Sequence, residues 1–209
     1  KDLPYRITTK LVLATEVHQE SALEALYNQG LANGVTGLSL LNRAQVLALE
    51  PAFRSTAALL SRETGIIDSH AYMRSLKREA ESAGARFLFS APVEQVVQTR
   101  GGRFLTLVGG PDPYLIKSHR WINCAGLWAQ ALTNSSRTAG RLSGAPLPEP
   151  PPAIYAKGSY FSLGAPSPSQ RLIYPLPERG GLGVHLTVDL TGRARFGPNV
   201  EWIDEVEYN

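Results

Sequence analysis

Several features that would point directly to a function are missing from this 209-residue sequence. The one cysteine, Cys124, excludes an internal disulfide framework and a cysteine-cluster metal site. No apolar run approaches the roughly 20 residues that span a bilayer. The formal net charge is only +3, and Lys and Arg are scattered singly, unlike the basic runs of nucleic-acid-binding tails. No G-x-S-x-G hydrolase elbow occurs. We therefore expect a globular protein without a transmembrane segment, a metal or a nucleic-acid partner.

The sequence also lacks the G-x-G-x-x-G loop that opens dinucleotide-binding domains. The nearest match, Gly181–Leu186, has no third glycine, and the residues after it have the pattern of a strand. The first residue is Lys1 rather than Met. We therefore expect the chain to begin inside a longer polypeptide.

Periodicity predicts an α/β N-terminal region and a β-rich C-terminal region. Apolar residues at helical spacing predict helices over about 18–30 and 69–83, the second capped by Asp68 or Ser69, and Asn42 can cap a brief helix that ends before Pro51. Gly126 allows a sharp passage into a further helix over 127–132. Strands are expected at 10–14, 38–41, 57–61, 87–89, 93–97, 104–108, 121–124 and, after a Pro-rich segment, at about 154–163, 171–174, 182–188 and 194–196.

Six motifs, taken together in their order and spacing, resemble the FAD-dependent oxidoreductase family that includes D-amino acid oxidase, glycine oxidase and sarcosine oxidase. Within that family the likeness is greatest to L-2-hydroxyglutarate dehydrogenases and oxidases. The motifs are Thr64–Tyr72, Ile122–Ala129, Lys157–Phe161, Leu172–Pro177, Leu182–Thr187 and Phe196–Asn199.

The resemblance implies an α/β (α+β) fold in which a portion of a FAD-binding Rossmann-like domain is interleaved with a largely antiparallel β-sheet substrate domain. It divides the chain into a first substrate-domain segment (1–64), a FAD-domain segment without the glycine loop (65–133), a linker rich in Pro, Ser and Gly (134–153) and a second substrate-domain segment (154–209). The likeness covers nearly the whole chain but only the central half of such an enzyme.

The activity implied is oxidation of a small 2-hydroxy acid, most readily L-2-hydroxyglutarate to 2-oxoglutarate, with hydride transfer to FAD and a quinone or oxygen as electron acceptor. Two alternatives stay open for this fragment: an amino-acid or amine oxidase on the same scaffold, and a truncated, non-catalytic subunit of a larger assembly. The resemblance implies a location in the bacterial cytoplasm or at the inner-membrane periphery, or in the mitochondrion of a eukaryote.

The substrate side would be built from four residues. His185 is the candidate general base, because histidine titrates near neutral pH; alternatively it is a polar residue on the solvated face of an edge strand. Lys157 is a candidate carboxylate anchor beside Gly158, which would allow close approach of a ligand, or else a solvated strand lysine. Tyr174 and Tyr160 would point hydroxyls at substrate oxygens, or else are half-buried strand aromatics. The arginines Arg171, Arg193 and Arg195 are weaker anchors that we expect at the surface.

The cofactor side would be built from Asn123, Cys124, Ala125 and Gly126, where a strand is expected to end and a helix to begin with free N–H groups for an anion. Val93 resembles the family valine whose backbone meets adenine. The alternative for all of these residues is close packing of a strand against a helix. We expect Cys124 to be buried and unreactive.

Overall fold

The computed structural model describes residues 3–99, 101–139, 149–177 and 183–208. The elements in chain order are β1 (Tyr5–Ile7), β2 (Lys10–Ala14), α1 (Glu20–Ala32), β3 (Leu38–Asn42), α2 (Arg43–Leu49), β4 (Ala57–Ser61), β5 (Gly65–Ile67), α3 (Ser69–Ser82), β6 (Val93–Gln98), β7 (Phe104–Val108), β8 (Tyr114–Ser118), α4 (Ala129–Ala139), β9 (Tyr155–Lys157), β10 (Phe161–Ser162), β11 (Leu172–Pro175), β12 (His185–Val188), β13 (Ala194–Gly197) and β14 (Glu201–Ile203), with 3₁₀ turns at Val17–Gln19 and Gly126–Trp128. The predicted mixed α/β class, with mostly antiparallel sheets, is confirmed.

The chain forms two compact units. The first combines Lys1–Ala83 with Ala156–Trp202, and the second combines Gly84–Tyr155 with Ile203–Asn209. The main feature of the first unit is a seven-stranded sheet with the order β10-β13-β12-β11-β2-β4-β3. Every recorded pair in it is antiparallel except β11 with β2, which run parallel. That parallel pair joins the early strands of the chain to the late ones.

Both faces of this sheet carry apolar residues because the side chains of a strand alternate. Leu11 and Leu13 of β2 pack with Val46 of α2 in one cluster. Val12 and Ala14, on the opposite face, pack with Leu23 of α1 in a second cluster that Tyr174 also contacts. The two helices thus cover opposite faces of the β2–β4–β3 half of the sheet. The buried apolar residues of β11, β12 and β13 belong to the first cluster, and Tyr174 contacts both clusters.

Helix ends follow the predicted capping chemistry. The Asn42 side chain accepts a hydrogen bond from the Gln45 N–H (3.0 Å), and the Gln45 side chain accepts one from the Asn42 N–H (2.9 Å). Asp68 likewise caps α3 by accepting from the Ala71 N–H (2.8 Å). Gly84 follows this helix with a φ of +93°, as expected of a glycine after a helix end. These predictions are confirmed.

The second unit corrects several predictions. The residues 87–89 and 121–124 form no strand, although both have β-forming side chains. The third strand of the β6-β7-β8 sheet is instead β8, which had no prediction. The last helix continues to Ala139 rather than ending at Leu132, because Ser136 is buried against β6 and accepts a hydrogen bond from the Val96 N–H. The helix thus enters the expected linker, of which residues 140–148 lie outside the described residues.

The predicted strand at 154–163 is interrupted between β9 and β10, and the strand expected at 182–188 begins only at His185. Residues 178–182, which include the Gly181–Leu182 pair, are not described. Among the described residues, no helix combines the length and the hydropathy needed to cross a bilayer.

Candidate active site

His185 is a buried imidazole at the start of β12. Only 6% of the residue is exposed, and Nδ1 lies 3.0 Å from the carbonyl oxygen of Gly183. Because a carbonyl oxygen can only accept, Nδ1 is the donor in this pair, and Nε2 is the ring nitrogen left to exchange a proton. Gly183 has a φ of +71°, and a Cβ there would lie 2.7 Å from Pro175 Cγ. The local backbone thus selects the tautomer that a general base requires.

Tyr174 packs its ring directly against His185. The two ring centroids are 4.0 Å apart and the planes are inclined by 20°. On the other side of β11, strand β2 places Lys10 Nζ 5.4 Å from the Tyr174 ring centroid. Burial raises the pKa of the Tyr174 phenol, and the nearby Tyr160 raises it further. The hydroxyl therefore stays protonated at neutral pH and can donate a hydrogen bond.

Tyr160 reaches this group from the segment between β9 and β10. Gly197, the register partner of His185, makes room for it, since a Cβ on Gly197 would lie 2.9 Å from Tyr160 Cδ1 and 3.1 Å from its Cα. Tyr160 is 49% exposed, and the guanidinium carbon of Arg195 lies 5.7 Å from its ring centroid. The structure thus brings together three of the four predicted substrate-side residues: His185, Tyr174 and Tyr160.

A cavity of about 550 Å³ opens beside these residues. Its walls include Tyr160, Thr187 and Arg195, together with the start of α3 and the turn at 189–191. Thr187 and Arg195 are register partners. Because Thr187 is two residues from His185 on β12, both point to the same face of the sheet. The volume is in the range of sites that bind small molecules.

Lys157 does not join this group. It is half-buried on β9, which pairs with β14 rather than with the strands that carry His185 and Tyr174. The neighbouring Gly158 does allow a close approach, but by the protein's own chain: a Cβ there would lie 2.7 Å from Pro198 Cβ. The expectation that Gly158 leaves room for a ligand is corrected by this contact.

The predicted cofactor-side residues form a tight bend before α4. The Asn123 amide donates to the Ala129 carbonyl (2.8 Å) and to Thr133 Oγ1 (2.9 Å), while its Oδ1 accepts from the Ala125 N–H (3.1 Å). Ala125 provides no side-chain cap for the helical turn that follows. Gly126 has a φ of +58°, and nothing lies within 4 Å of where its Cβ would be. An uncapped helix start beside an open glycine suits the close approach of an anionic ligand such as a nucleotide phosphate.

Two of the predicted cofactor-side residues, Cys124 and Val93, differ from the rest of this group in exposure or in position. Cys124 is exposed, so the expectation that it is buried is wrong; its segment forms no strand and pairs with none of the described strands. Val93 opens β6 and pairs with Val108 of β7, with a register irregularity immediately after it. No recorded contact joins Val93 to the bend at 123–126. In the portion of the chain that the structure describes, no group of three or more His, Cys, Asp or Glu side chains could hold a metal ion.

Sequence reasoning missed Lys10 and the roles of Gly183 and Gly197. Lys10 begins an apolar run, and only the parallel pairing of β2 with β11 brings it near Tyr174. A usable signal was the alternation that puts Lys10 on the same face as Val12. The glycines lie within two residues of His185 or opposite it, where a close approach of neighbouring chain is needed.

The comparisons with known proteins agree with the motif resemblance. The model of the family described as "FAD dependent oxidoreductase" matches residues 1–208. The mitochondrial L-2-hydroxyglutarate dehydrogenase of Arabidopsis thaliana is 35% identical over 233 residues, covering 97% of this chain and 47% of that protein. The protein of the same name from Bos taurus is 30% identical over 215 residues, covering 95% and 44%. The chain therefore spans about half the length of the curated relatives it matches.

A solved structure shares the fold. Dithionite-reduced L-α-glycerophosphate oxidase from Mycoplasma pneumoniae, with FAD bound, superposes with a TM-score of 0.80 at 19% identity, covering 96% of this chain and 51% of that one. The family model and the identities confirm the resemblance inferred from the motifs. The chain belongs to the FAD-dependent oxidoreductase family.

Proposed function

We propose that the full-length protein is an FAD-dependent oxidoreductase that oxidises a small 2-hydroxy acid, with L-2-hydroxyglutarate as the leading candidate. The observation that carries this proposal is His185: a buried imidazole whose Nδ1 lies within hydrogen-bond distance of the Gly183 carbonyl oxygen, which leaves Nε2 as the nitrogen that can exchange a proton with the substrate. The names of the relatives from Arabidopsis thaliana and Bos taurus support the choice of substrate.

Oxidation of an alcohol requires removal of the hydroxyl proton and of a hydride from the same carbon. In our proposal His185 Nε2 accepts the hydroxyl proton. The Gly183 carbonyl then stabilises the positive ring through the Nδ1–H bond, and the stacked Tyr174 ring keeps the imidazole oriented. FAD, when bound, supplies the acceptor for the hydride.

The remaining substrate-side residues would orient the acid. The Tyr174 hydroxyl, kept protonated by burial, would donate to a substrate oxygen. Tyr160, half-exposed at the edge of the cavity, would donate to a second one. Lys157 stays a proposed carboxylate anchor on the strength of the motif resemblance alone, since β9, the strand that carries it, pairs with β14 rather than with β12.

The second unit would hold the flavin nucleotide. We infer that the bend formed by Asn123, Cys124, Ala125 and Gly126 lies against its phosphates, with the open Gly126 allowing the close approach at the uncapped helix start; the Ala125 N–H holds the bend itself by donating to Asn123 Oδ1. Val93 would contact the adenine through its backbone. The proposed electron acceptor of the enzyme is a quinone or oxygen, and a eukaryotic source would place the enzyme with its mitochondrial relatives.

The test is replacement of His185 with Phe in the full-length, FAD-loaded protein. Proton transfer by a positioned side chain contributes about 10²–10⁴-fold, so kcat for L-2-hydroxyglutarate should fall by at least about 10²-fold. His18→Phe is the matched control, because His18 is exposed at the surface beside Glu16. The flavin absorbance of each variant reports whether the cofactor is retained.

Unchanged turnover of His185→Phe with flavin still bound would refute the assignment of the base. Bleaching of the flavin by glycine or sarcosine, and not by L-2-hydroxyglutarate, would replace the proposed substrate with an amine. A purified full-length protein without flavin would favour the accessory-subunit alternative.

A further inference from the structure

We propose that Arg195 binds the distal carboxylate of the substrate and so selects dicarboxylic 2-hydroxy acids over monocarboxylic ones. This inference rests on the proposed function and goes beyond it by assigning a specificity-determining residue. From the sequence we expect Arg195 at the surface. It is exposed, but it borders the cavity next to the His185 group.

The strand register fixes where Arg195 stands. It lies opposite Thr187 on the face of the sheet that also carries His185. Residues two apart on a strand are separated by about 6.6–6.8 Å. The Cα of Arg195 therefore lies about that distance along β13 from Gly197, the residue opposite His185. Its guanidinium then lies over the Tyr160 ring, 5.7 Å from the centroid. The aromatic face holds the planar group at the cavity wall.

The guanidinium has unused donors. Among the described residues no carboxylate lies within ion-pair distance of Arg195. Two acidic residues line the same cavity, and each accepts hydrogen bonds from nearby residues of its own segment. Asp68 caps α3, and Asp189 accepts from the Thr191 hydroxyl and from the N–H groups of Thr191 and Arg193. Arg195 therefore offers a planar, bidentate set of N–H donors of the kind that suits a carboxylate.

The position of the cavity decides which carboxylate would bind. The reacting hydroxyl and the carboxylate beside it must lie at His185, and His185 itself does not line the cavity. The remaining carbon chain would extend past Tyr160 into the cavity. An anionic group at the end of that chain would then meet Arg195. This arrangement gives a dicarboxylate one anchor more than its monocarboxylate analogue.

The test compares Arg195→Met with Arg193→Met in the full-length, FAD-loaded protein. Arg193 is an exposed arginine immediately before β13, the strand that carries Arg195, and it does not line the cavity. The substrates are L-2-hydroxyglutarate and L-2-hydroxyvalerate, which has the same carbon chain without the distal carboxylate. For Arg195→Met, the KM for L-2-hydroxyglutarate should rise by about 10- to 100-fold, as expected for loss of a charged hydrogen-bond pair. The kinetics with L-2-hydroxyvalerate should not change, and Arg193→Met should change neither.

If Arg195→Met raises KM equally for both substrates, or for neither, the inference is overturned. A second measurement separates its failure from that of the proposed function. Glutarate and pentanoate carry no hydroxyl to oxidise, so their binding can be followed by flavin absorbance even if no turnover occurs. Glutarate should bind the wild type more tightly than pentanoate, and Arg195→Met should abolish that preference while His185→Phe keeps it. Retention of the preference in Arg195→Met would exclude Arg195 as the anchor.

Discussion

Replacing Gly197 with alanine should destabilise the first unit and disturb the substrate site together. Gly197 lies opposite His185 in the register of β12 and β13. Its φ is +139°, a backbone conformation that residues other than glycine rarely adopt. The added Cβ would lie 2.7 Å from the Ser159 carbonyl oxygen and 2.9 Å from Tyr160 Cδ1. Real Cβ contacts are not that short, so the segment that carries Tyr160 would have to move away.

The magnitude follows from two separable costs. Backbone strain at such a φ costs about 1–3 kcal/mol, and forcing an extra methyl into packed surroundings costs about 1–3 kcal/mol more. We expect the free energy of unfolding to fall by about 2–6 kcal/mol, the sum of these two costs, measured by urea denaturation. Because Tyr160 would be displaced, KM for the substrate should rise as well.

Alanine substitutions at two other glycines measure the backbone strain and the steric overlap separately. Gly164 has no positive φ and nothing within 4 Å of its Cβ position, so Gly164→Ala should be close to neutral. Gly192 has a φ of +84° and only the Gln170 side chain nearby, at 3.8 Å, so Gly192→Ala measures strain without a clash. If Gly197→Ala is no worse than Gly192→Ala, the close approach of Tyr160 does not constrain this position. A loss of stability with an unchanged KM would remove Tyr160 from the substrate site.

Two further predictions concern stability. Arg171→Met should lower the free energy of unfolding by about 3 kcal/mol, because it leaves the buried Glu50 carboxylate without its 2.6 Å partner; this is the low end for a buried pair, since Arg171 is one-third exposed. In urea unfolding, the double variant Arg171→Met with Glu50→Met should regain part of the free energy of unfolding that Arg171→Met loses. A loss for Arg171→Met no larger than that for a surface arginine would contradict the pairing. Asp189→Asn should lower the melting temperature at neutral pH, because hydrogen bonds from the Thr191 hydroxyl and the Arg193 N–H hold the Asp189 pKa below its usual value. Since a lowered pKa stabilises the fold above the pKa of the unfolded chain and this effect is lost as pH falls through the folded pKa, the difference from wild type should shrink on acidification, and a difference independent of pH would refute the role of the carboxylate.

Elements with a local cause could be predicted from the sequence. The caps at Asn42 and Asp68 depend on N–H groups three residues away, and the sequence contains everything they need. The end of α3 at Gly84 depends on a single glycine. Pairing of strands is different, because it depends on what lies beside them. The residues 87–89 and Tyr114–Ser118 both have β-forming side chains, yet only the second pairs with β7.

The candidate site also has features with local causes and features that depend on strand pairing. His185, Tyr174 and Tyr160 could be named from motifs that lie in the sequence as short blocks. Their grouping with Lys10 could not, because it depends on the parallel register of β11 with β2. The role of Gly197 also depends on a segment, around Tyr160, that reaches it only in the folded sheet.

The parallel contact between β2 and β11 has a consequence for biosynthesis. During synthesis β2, β4 and β3 can pair with one another early, since all three lie between Lys10 and Ser61, whereas β11 follows much later in the chain. Strand β2, which carries Leu11 and Leu13, has one backbone edge that pairs with β11. This edge has its partner only after Leu172–Pro175 has been translated. Such an open edge is a template for association with other chains. The late arrival of β11 therefore makes wrong pairing at this edge of β2 a hazard during synthesis.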